Sequence, residues 1–355
     1  MNKTARLFAS ALFISAIGLP LRAETGLGQL EASAPGTQLS IPAPEVKGAA
    51  FSDPASSAYK PGTFAQAAAN TYRGNANYIT LYAIPSPHPM DWKNLTTLVY
   101  SFARNQAAVS LLHQTHAIGH VAFEIGCTQD DGSRKLVVTG QVPRDKDSMS
   151  GFTQDAKSGL GYSTFFSYVP GRLQTREQLE TELDTLSNEK GEVAFLTLKV
   201  SQQSCLEAQR YIKAYDDEGV SSRYGLGVRP LYKEGGGCAN VGVSVVEVAG
   251  PADFAQLSAP WSRTFYVPNE LLGDSQHHVG LADVASYWKY DWTRKPAGQY
   301  RKLFFYDPDL IYKWILASKA GQESKYEGYA INSSAGVTVD YTASSSPTQW
   351  WKTDN

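Results

Sequence analysis

Apolar residues along this chain recur with two different periods. Tyr78-Ile79-Thr80-Leu81-Tyr82 is a short β-like run, and Trp92 to Arg104 carries Leu95, Leu98 and Phe102 at helical spacing. Ile118 to Gly126 reads as a strand, Asp130-Asp131-Gly132 as a hairpin turn and Lys135 to Val142 as its partner strand. A Gly/Ser/Tyr-rich loop is expected from about 144 to 171. Thr175-x-x-Gln178 is a capping-box start for a helix bearing Leu179, Leu183 and Leu186. Glu192 to Val200 is a mostly apolar strand, and Gln203 to Glu218 is a helix with Ala208, Tyr211, Ile212 and Tyr215 on one face. The glycines 235–237 and Cys238 then open the apolar run Val241 to Ala249, a buried helix.

After Gly250 the pattern changes. Aromatic residues accumulate (Trp261, Phe265, Tyr266, Trp288, Tyr290, Trp292), a helix is predicted over 307–320, and the chain ends in a polar tail holding Trp350-Trp351. There is no internal repeat. The pattern therefore predicts an α+β domain over residues 76–250, with residues 251–355 as an aromatic-rich C-terminal extension packed on it.

Residues 1–23 read as a secretory signal peptide. Lys3 and Arg6 precede the apolar stretch Leu7 to Leu21, and cleavage is expected near Ala23. Glu24, not a cysteine, comes immediately after that point, so a lipid anchor on this chain is not expected, and no later apolar run approaches the roughly 20 residues of a membrane span. Residues 24–75 are rich in Ala, Ser, Gly and Pro without periodicity and are expected to form a flexible arm. The expected location is the periplasm. Formal net charge is −2 over 355 residues, and no stretch is dense in Lys or Arg, so nucleic acid is not an expected partner.

Three cysteines in an oxidising compartment leave at least one thiol unpaired or joined to another molecule. The economical assignment is a Cys127–Cys205 disulfide with Cys238 free; the alternative is three reduced thiols. Cys238 stands where a nucleophile is commonly built, because a helix N-terminus offers unpaired N–H groups and partial positive charge that favour the thiolate. A small buried hydrophobe is the bland reading of the same residue. A nucleophilic cysteine needs a base, and His120 lies in an otherwise apolar strand, where an imidazole requires a partner or a purpose. Ala122 and Glu124 share its face, so Glu124 is a candidate orienter, as are Thr139 and Gln141.

A rival reading gathers His113, His116, His120, Glu124 and Cys127 as a metal cluster, with His277-His278 a weaker pair. Their spacing matches no tight zinc signature. No G-x-S-x-G elbow, P-loop or dinucleotide fingerprint occurs, and no cofactor is implied.

His116-Ala117-Ile118-Gly119-His120, the strand 193–200 with its helix through Tyr215, and Arg223-Tyr224-Gly225-Leu226 ahead of Cys238-Ala239-Asn240-Val241 come in an order that is informative. Over roughly residues 78–250 this order resembles the circularly permuted branch of the papain-like NlpC superfamily. That branch includes the lecithin:retinol acyltransferase-like enzymes, in which the histidine strand precedes the cysteine helix. Within the branch the chain looks most like the Lnb-type periplasmic domain of bacterial lipoprotein N-acyltransferases. The family commonly has Asn before the cysteine; Gly237 stands there in this chain. The resemblance implies a papain-like core, an antiparallel sheet packed on the cysteine helix. It makes Cys238 the nucleophile and His120 the general base, with main-chain N–H groups at the helix start as the oxyanion site and Tyr224 in support.

The function so implied is a periplasmic cysteine acyltransferase. It would form an acyl-thioester on Cys238 and pass the acyl group to an amine, the N-terminal cysteine of a lipoprotein. Lipoprotein or phospholipid would supply the donor and acceptor, with peripheral membrane contact. The aromatic segment around Trp288 to Trp292 would line an acyl groove or face a membrane; ordinary packing of the extension is the alternative. A cell-wall peptide amidase or endopeptidase with the same Cys–His machinery is the second reading. A non-enzymatic periplasmic binding module with an inert Cys238 is the third.

Overall fold

The computed structural model describes residues 64, 76–112, 116–144, 159–189, 193–321, 325–331 and 334–353. The predicted signal peptide, and all of the predicted arm except Phe64, lie outside the described residues. Phe64 is buried, edge-on to Tyr82 and Phe195.

An eight-stranded sheet organises the molecule. At its centre β1 (Tyr78–Ile84) pairs antiparallel with β2 (His120–Thr128), which pairs with β3 (Arg134–Pro143) through the turn expected at Asp131-Gly132. Beyond β3 come β4 (Val169–Leu173) and the two-residue β6 (Arg223–Tyr224). On the other side of β1 lies β5 (Ala194–Lys199), antiparallel to it. The strand β10 (Ser334–Asp340) runs parallel to β5 and pairs with the edge strand β9 (Glu327–Ile331). A separate hairpin joins β7 (Ser262–Pro268) to β8 (Tyr300–Tyr306).

Among the described residues seven α-helices accompany these strands: α1 (Leu95–Leu112), α2 (Arg176–Glu189), α3 (Gln202–Asp217), α4 (Cys238–Ala249), and the short α5 (Phe254–Ser258) and α6 (Leu281–Ser286), then α7 (Pro308–Ala320). Helices α3, α4 and α7 cover one face of the sheet. There Val121, Phe123 and Ile125 meet Tyr211, Val241, Val245 and Ile311 in a continuous apolar core. Helix α2 covers the other face with Leu179, Leu183 and Leu186 against Tyr82, Ala122 and Val138. A third cluster joins α1 and the turn 162–166 to the β7–β8 hairpin around Trp92, Trp292, Phe265 and Phe305.

The fold is α+β, with three differences from the expected plan. The sheet is mixed rather than antiparallel, because β10 joins β5 in parallel register. Parallel pairing requires a crossover connection, and the chain from β5 to β10 supplies one that passes through α3, α4 and α7. Residues after Gly250, expected as an extension packed on the core, also contribute α7 and two strands to it. The loop expected over 144–171 contains β4 at its end.

A Cys127–Cys205 disulfide ties the end of β2 to the first turn of α3, with the Cα atoms 5.7 Å apart, and Cys238 is free.

Candidate active site

The site lies where the start of β2 meets the start of α4. Gly237 is the N-cap of α4 and has no side chain to satisfy the first-turn N–H groups. Ahead of it, Gly235 adopts φ +106, and a Cβ there would sit 2.4 Å from the Arg223 carbonyl oxygen. Only glycine allows the loop to lie this close to β6, which brings Cys238 beside Tyr224. Asn240 then holds three segments together: its amide donates to the carbonyls of Leu226 and Val228, and its Oδ1 accepts from the Tyr306 N–H.

Cys238 is 6 % exposed and His120 2 %. The thiol and the imidazole are within hydrogen-bond reach, and the sulfur also accepts from the Val121 N–H and from the Tyr224 hydroxyl. Burial alone would push the thiol up. The imidazolium charge, its hydrogen bond and the two further donors outweigh burial and hold Cys238 below the ordinary thiol range. For His120, burial alone would push the imidazole down; the thiolate charge and hydrogen bond, with Glu182 and Gln174, lift it to about 9. These contacts favour the thiolate–imidazolium form of the pair over the neutral one. Tyr224 also accepts the Cys238 N–H, and burial together with the adjoining thiolate drives its hydroxyl well above the usual phenol range, so it stays a neutral donor.

Behind the imidazole stands a polar group that the sequence reading missed. His120 Nε2 lies 2.9 Å from Gln174 Oε1. The backbone of Gln174 is pinned to β3: its N–H donates to the Gly140 carbonyl, and its carbonyl accepts from Thr139 Oγ1. The capping box predicted at Thr175 and Gln178 forms and fixes the helix start just beyond. A Cβ at position 140 would lie 2.7 Å from Gln174 Oε1 and 2.9 Å from His120 Nε2, so glycine there leaves the space in which the two meet. The Gln174 amide donates to Glu182 Oε2 at 3.2 Å, and Glu182 Oε1 accepts from His116 Nε2 at 2.6 Å. The rings of His116 and His120 stack with centroids 4.4 Å apart.

The other candidates fall elsewhere. Glu124 accepts hydrogen bonds from the hydroxyls of Tyr78 and Tyr82. Gln141 donates to the Ser221 carbonyl. Of the proposed metal set, Cys127 is disulfide-bonded and His113 lies outside the described residues; among the described residues no group of three or more His, Cys, Asp or Glu is placed to hold a metal ion. His278 lies against Gly159, and His277 Nδ1 is 3.3 Å from the Leu272 carbonyl. The segment 288–292 divides: Trp288 is exposed under Lys289, whereas Trp292 is buried among Tyr162, Phe165 and Phe265. Among the described residues no helix is long and apolar enough to cross a membrane.

Comparison with known proteins finds no matching family model, no matching curated protein and no matching solved structure.

Proposed function

We propose that this chain is a cysteine-dependent acyltransferase of the permuted papain-like type, acting in the periplasm on lipid-derived acyl groups. The observation that carries the reading is the free Cys238, opening α4 and paired with His120, whose far nitrogen is held by Gln174. Nucleophile, base and orienter in this relation form the arrangement that covalent acyl transfer uses. The order of histidine strand before cysteine helix supports the permuted branch.

In the reaction, the Cys238 sulfur attacks an ester carbonyl carbon and a C–S bond forms. The developing oxyanion is met by the Cys238 N–H and the Tyr224 hydroxyl. The C–O bond then breaks, and the leaving alkoxide takes a proton from the His120 imidazolium, giving a free hydroxyl product and an acyl-thioester. An acceptor amine attacks the thioester, neutral His120 takes its proton, and the thiolate is released. The acceptor this reading names is the N-terminal cysteine of a lipoprotein.

The surroundings of the site support an acyl rather than a peptide substrate. Ile118 and Leu226, each two residues from a site residue, are partly buried against the aromatic cluster, together with Phe102, Phe165 and Phe166. The outer face of the hairpin carries exposed Tyr300, Lys302 and Phe304, and Lys295 lies over Tyr266. Aromatic rings interleaved with cations suit a lipid interface, which makes peripheral membrane contact part of the proposal.

Mass spectrometry of Cys238 after incubation with phospholipid or diacylated lipopeptide tests it. An acyl mass on Cys238, absent from Cys238→Ala, is the expected result. No adduct, with cleavage of cell-wall peptides, would replace it by the amidase reading; an unmodified and unreactive thiol would leave a binding module.

A further inference from the structure

Glu182 sits one side chain beyond the base, and the hydrogen bonds between them have only one consistent direction. A carboxylate can only accept. Facing Glu182 Oε2, the Gln174 side chain must therefore present its NH₂ group, which turns its carbonyl oxygen toward His120. A carbonyl also only accepts, so His120 Nε2 must carry a proton. In the neutral ring this leaves Nδ1 with the lone pair, on the nitrogen not engaged by Gln174.

We propose that Glu182 fixes the proton of His120 on Nε2 by orienting the Gln174 amide, so that Nδ1 is always the nitrogen that takes the Cys238 proton. Glu182 is a positioning residue here, since it acts through Gln174, and the inference rests on the Cys–His chemistry proposed above. In the proton transfer the S–H bond breaks and an Nδ1–H bond forms, giving thiolate and imidazolium. With the amide reversed, its NH₂ would face Nε2, the ring proton would move to Nδ1, and that nitrogen could no longer act as base.

His116 completes the device. It donates to the second oxygen of Glu182, so both carboxylate oxygens are held, and it stacks on His120. Burial and the neighbouring imidazolium lower the pKa of His116 despite Glu182, so of the two stacked rings His120 carries the charge. The groups facing the His120 ring are thus Gln174 and, behind it, Glu182 from the α2 side, His116 from the turn before β2, and Cys238 from α4 with Tyr224 beyond the sulfur. Glu124, next but one on the same strand face, holds two tyrosine hydroxyls.

The test uses the full chain and iodoacetamide as probe. In wild type, alkylation of Cys238 should be rapid at neutral pH. In Glu182→Gln the midpoint of its pH profile should rise by about one unit, a roughly tenfold loss of rate on the acid side. The exchanged pair Gln174→Glu/Glu182→Gln again offers His120 Nε2 an obligate acceptor and should restore the rate to within about threefold, which a purely structural role for Glu182 would not do. An unshifted profile in Glu182→Gln overturns the proposal. Should that variant fail to fold, ¹⁵N NMR of His120 in Cys238→Ala decides: the Nε2–H tautomer is expected, and the Nδ1–H tautomer overturns it. If wild-type Cys238 resists alkylation, the proposed function falls, while the tautomer measurement still judges this inference separately.

Discussion

One strand, β2, is buried on both faces, and the two faces do different work. The side chains of Val121, Phe123 and Ile125 pack against α3 and α4 by apolar contact, and the row ends at Cys127 in the disulfide to α3. His120, Ala122 and Glu124 face the α2 side, where the histidine meets Gln174 and the glutamate meets two tyrosine hydroxyls. A buried apolar residue is satisfied by any close-packed neighbour, whereas a buried polar group is satisfied only by a partner of the right polarity at the right distance. The first face therefore carries stability that tolerates substitution by volume. The second carries geometry that tolerates almost none.

Substituting one residue on each face should separate these roles. His120→Ala removes the proposed base and, on the proposed chemistry, is expected to lower acyl transfer by at least about 10³-fold, with only a modest effect on the unfolding transition. Phe123→Ala opens a cavity at a fully buried position and should cost about 3–5 kcal/mol in denaturant unfolding, while the folded fraction keeps its thiol reactivity. A large rate loss in Phe123→Ala at conditions where it is fully folded would show that the faces are coupled.

The disulfide gives the next largest effect. It closes a sequence separation of 78 residues, for which constraint of the unfolded chain is worth roughly 4–5 kcal/mol at most. Cys127→Ala/Cys205→Ala should therefore lose about 2–4 kcal/mol of stability and leave the alkylation profile of Cys238 unchanged. A shifted profile would mean that the far end of β2 sets the position of His120.

The same contrast explains what could be read from the sequence. The apolar face announces itself by composition, and so β1, β2, β3, β5, α3 and α4 were legible from their runs of Val, Ile, Leu and Phe. His120 was legible because it interrupts such a run, and Cys238 because it stands, glycine-flanked, where one begins a helix. Gln174 was not, because it belongs to neither run and reaches His120 only when the β4–α2 connection folds across β3. One local signal was present: Gln174 precedes a capping box, at the position where an apolar staple residue normally sits. The β7–β8 and β9–β10 pairs went unread for a different reason. Lys302, Phe304 and Thr338 blur their alternation, and the place of β10 depends on a parallel partner about 140 residues earlier, β5, which no local pattern encodes.

Glu124 offers the finest test of the comparison, because the sequence nominates it as the orienter of His120 while the structure binds it to Tyr78 and Tyr82. In Glu124→Gln one oxygen remains to accept from one tyrosine, and the new NH₂ group faces the other hydroxyl, which must turn to accept. That exchange of a charge-assisted bond for a rearranged neutral one should cost about 1–3 kcal/mol, read as a lowered denaturation midpoint with an unchanged slope. The alkylation midpoint of Cys238 should not move, because the acceptor on His120 Nε2 is still Gln174. Should that midpoint move as far as in Glu182→Gln, the carboxylate on the strand governs the base after all, and the polar face of β2 is one electrostatic unit from His120 to Glu124 rather than a catalytic end and a structural end.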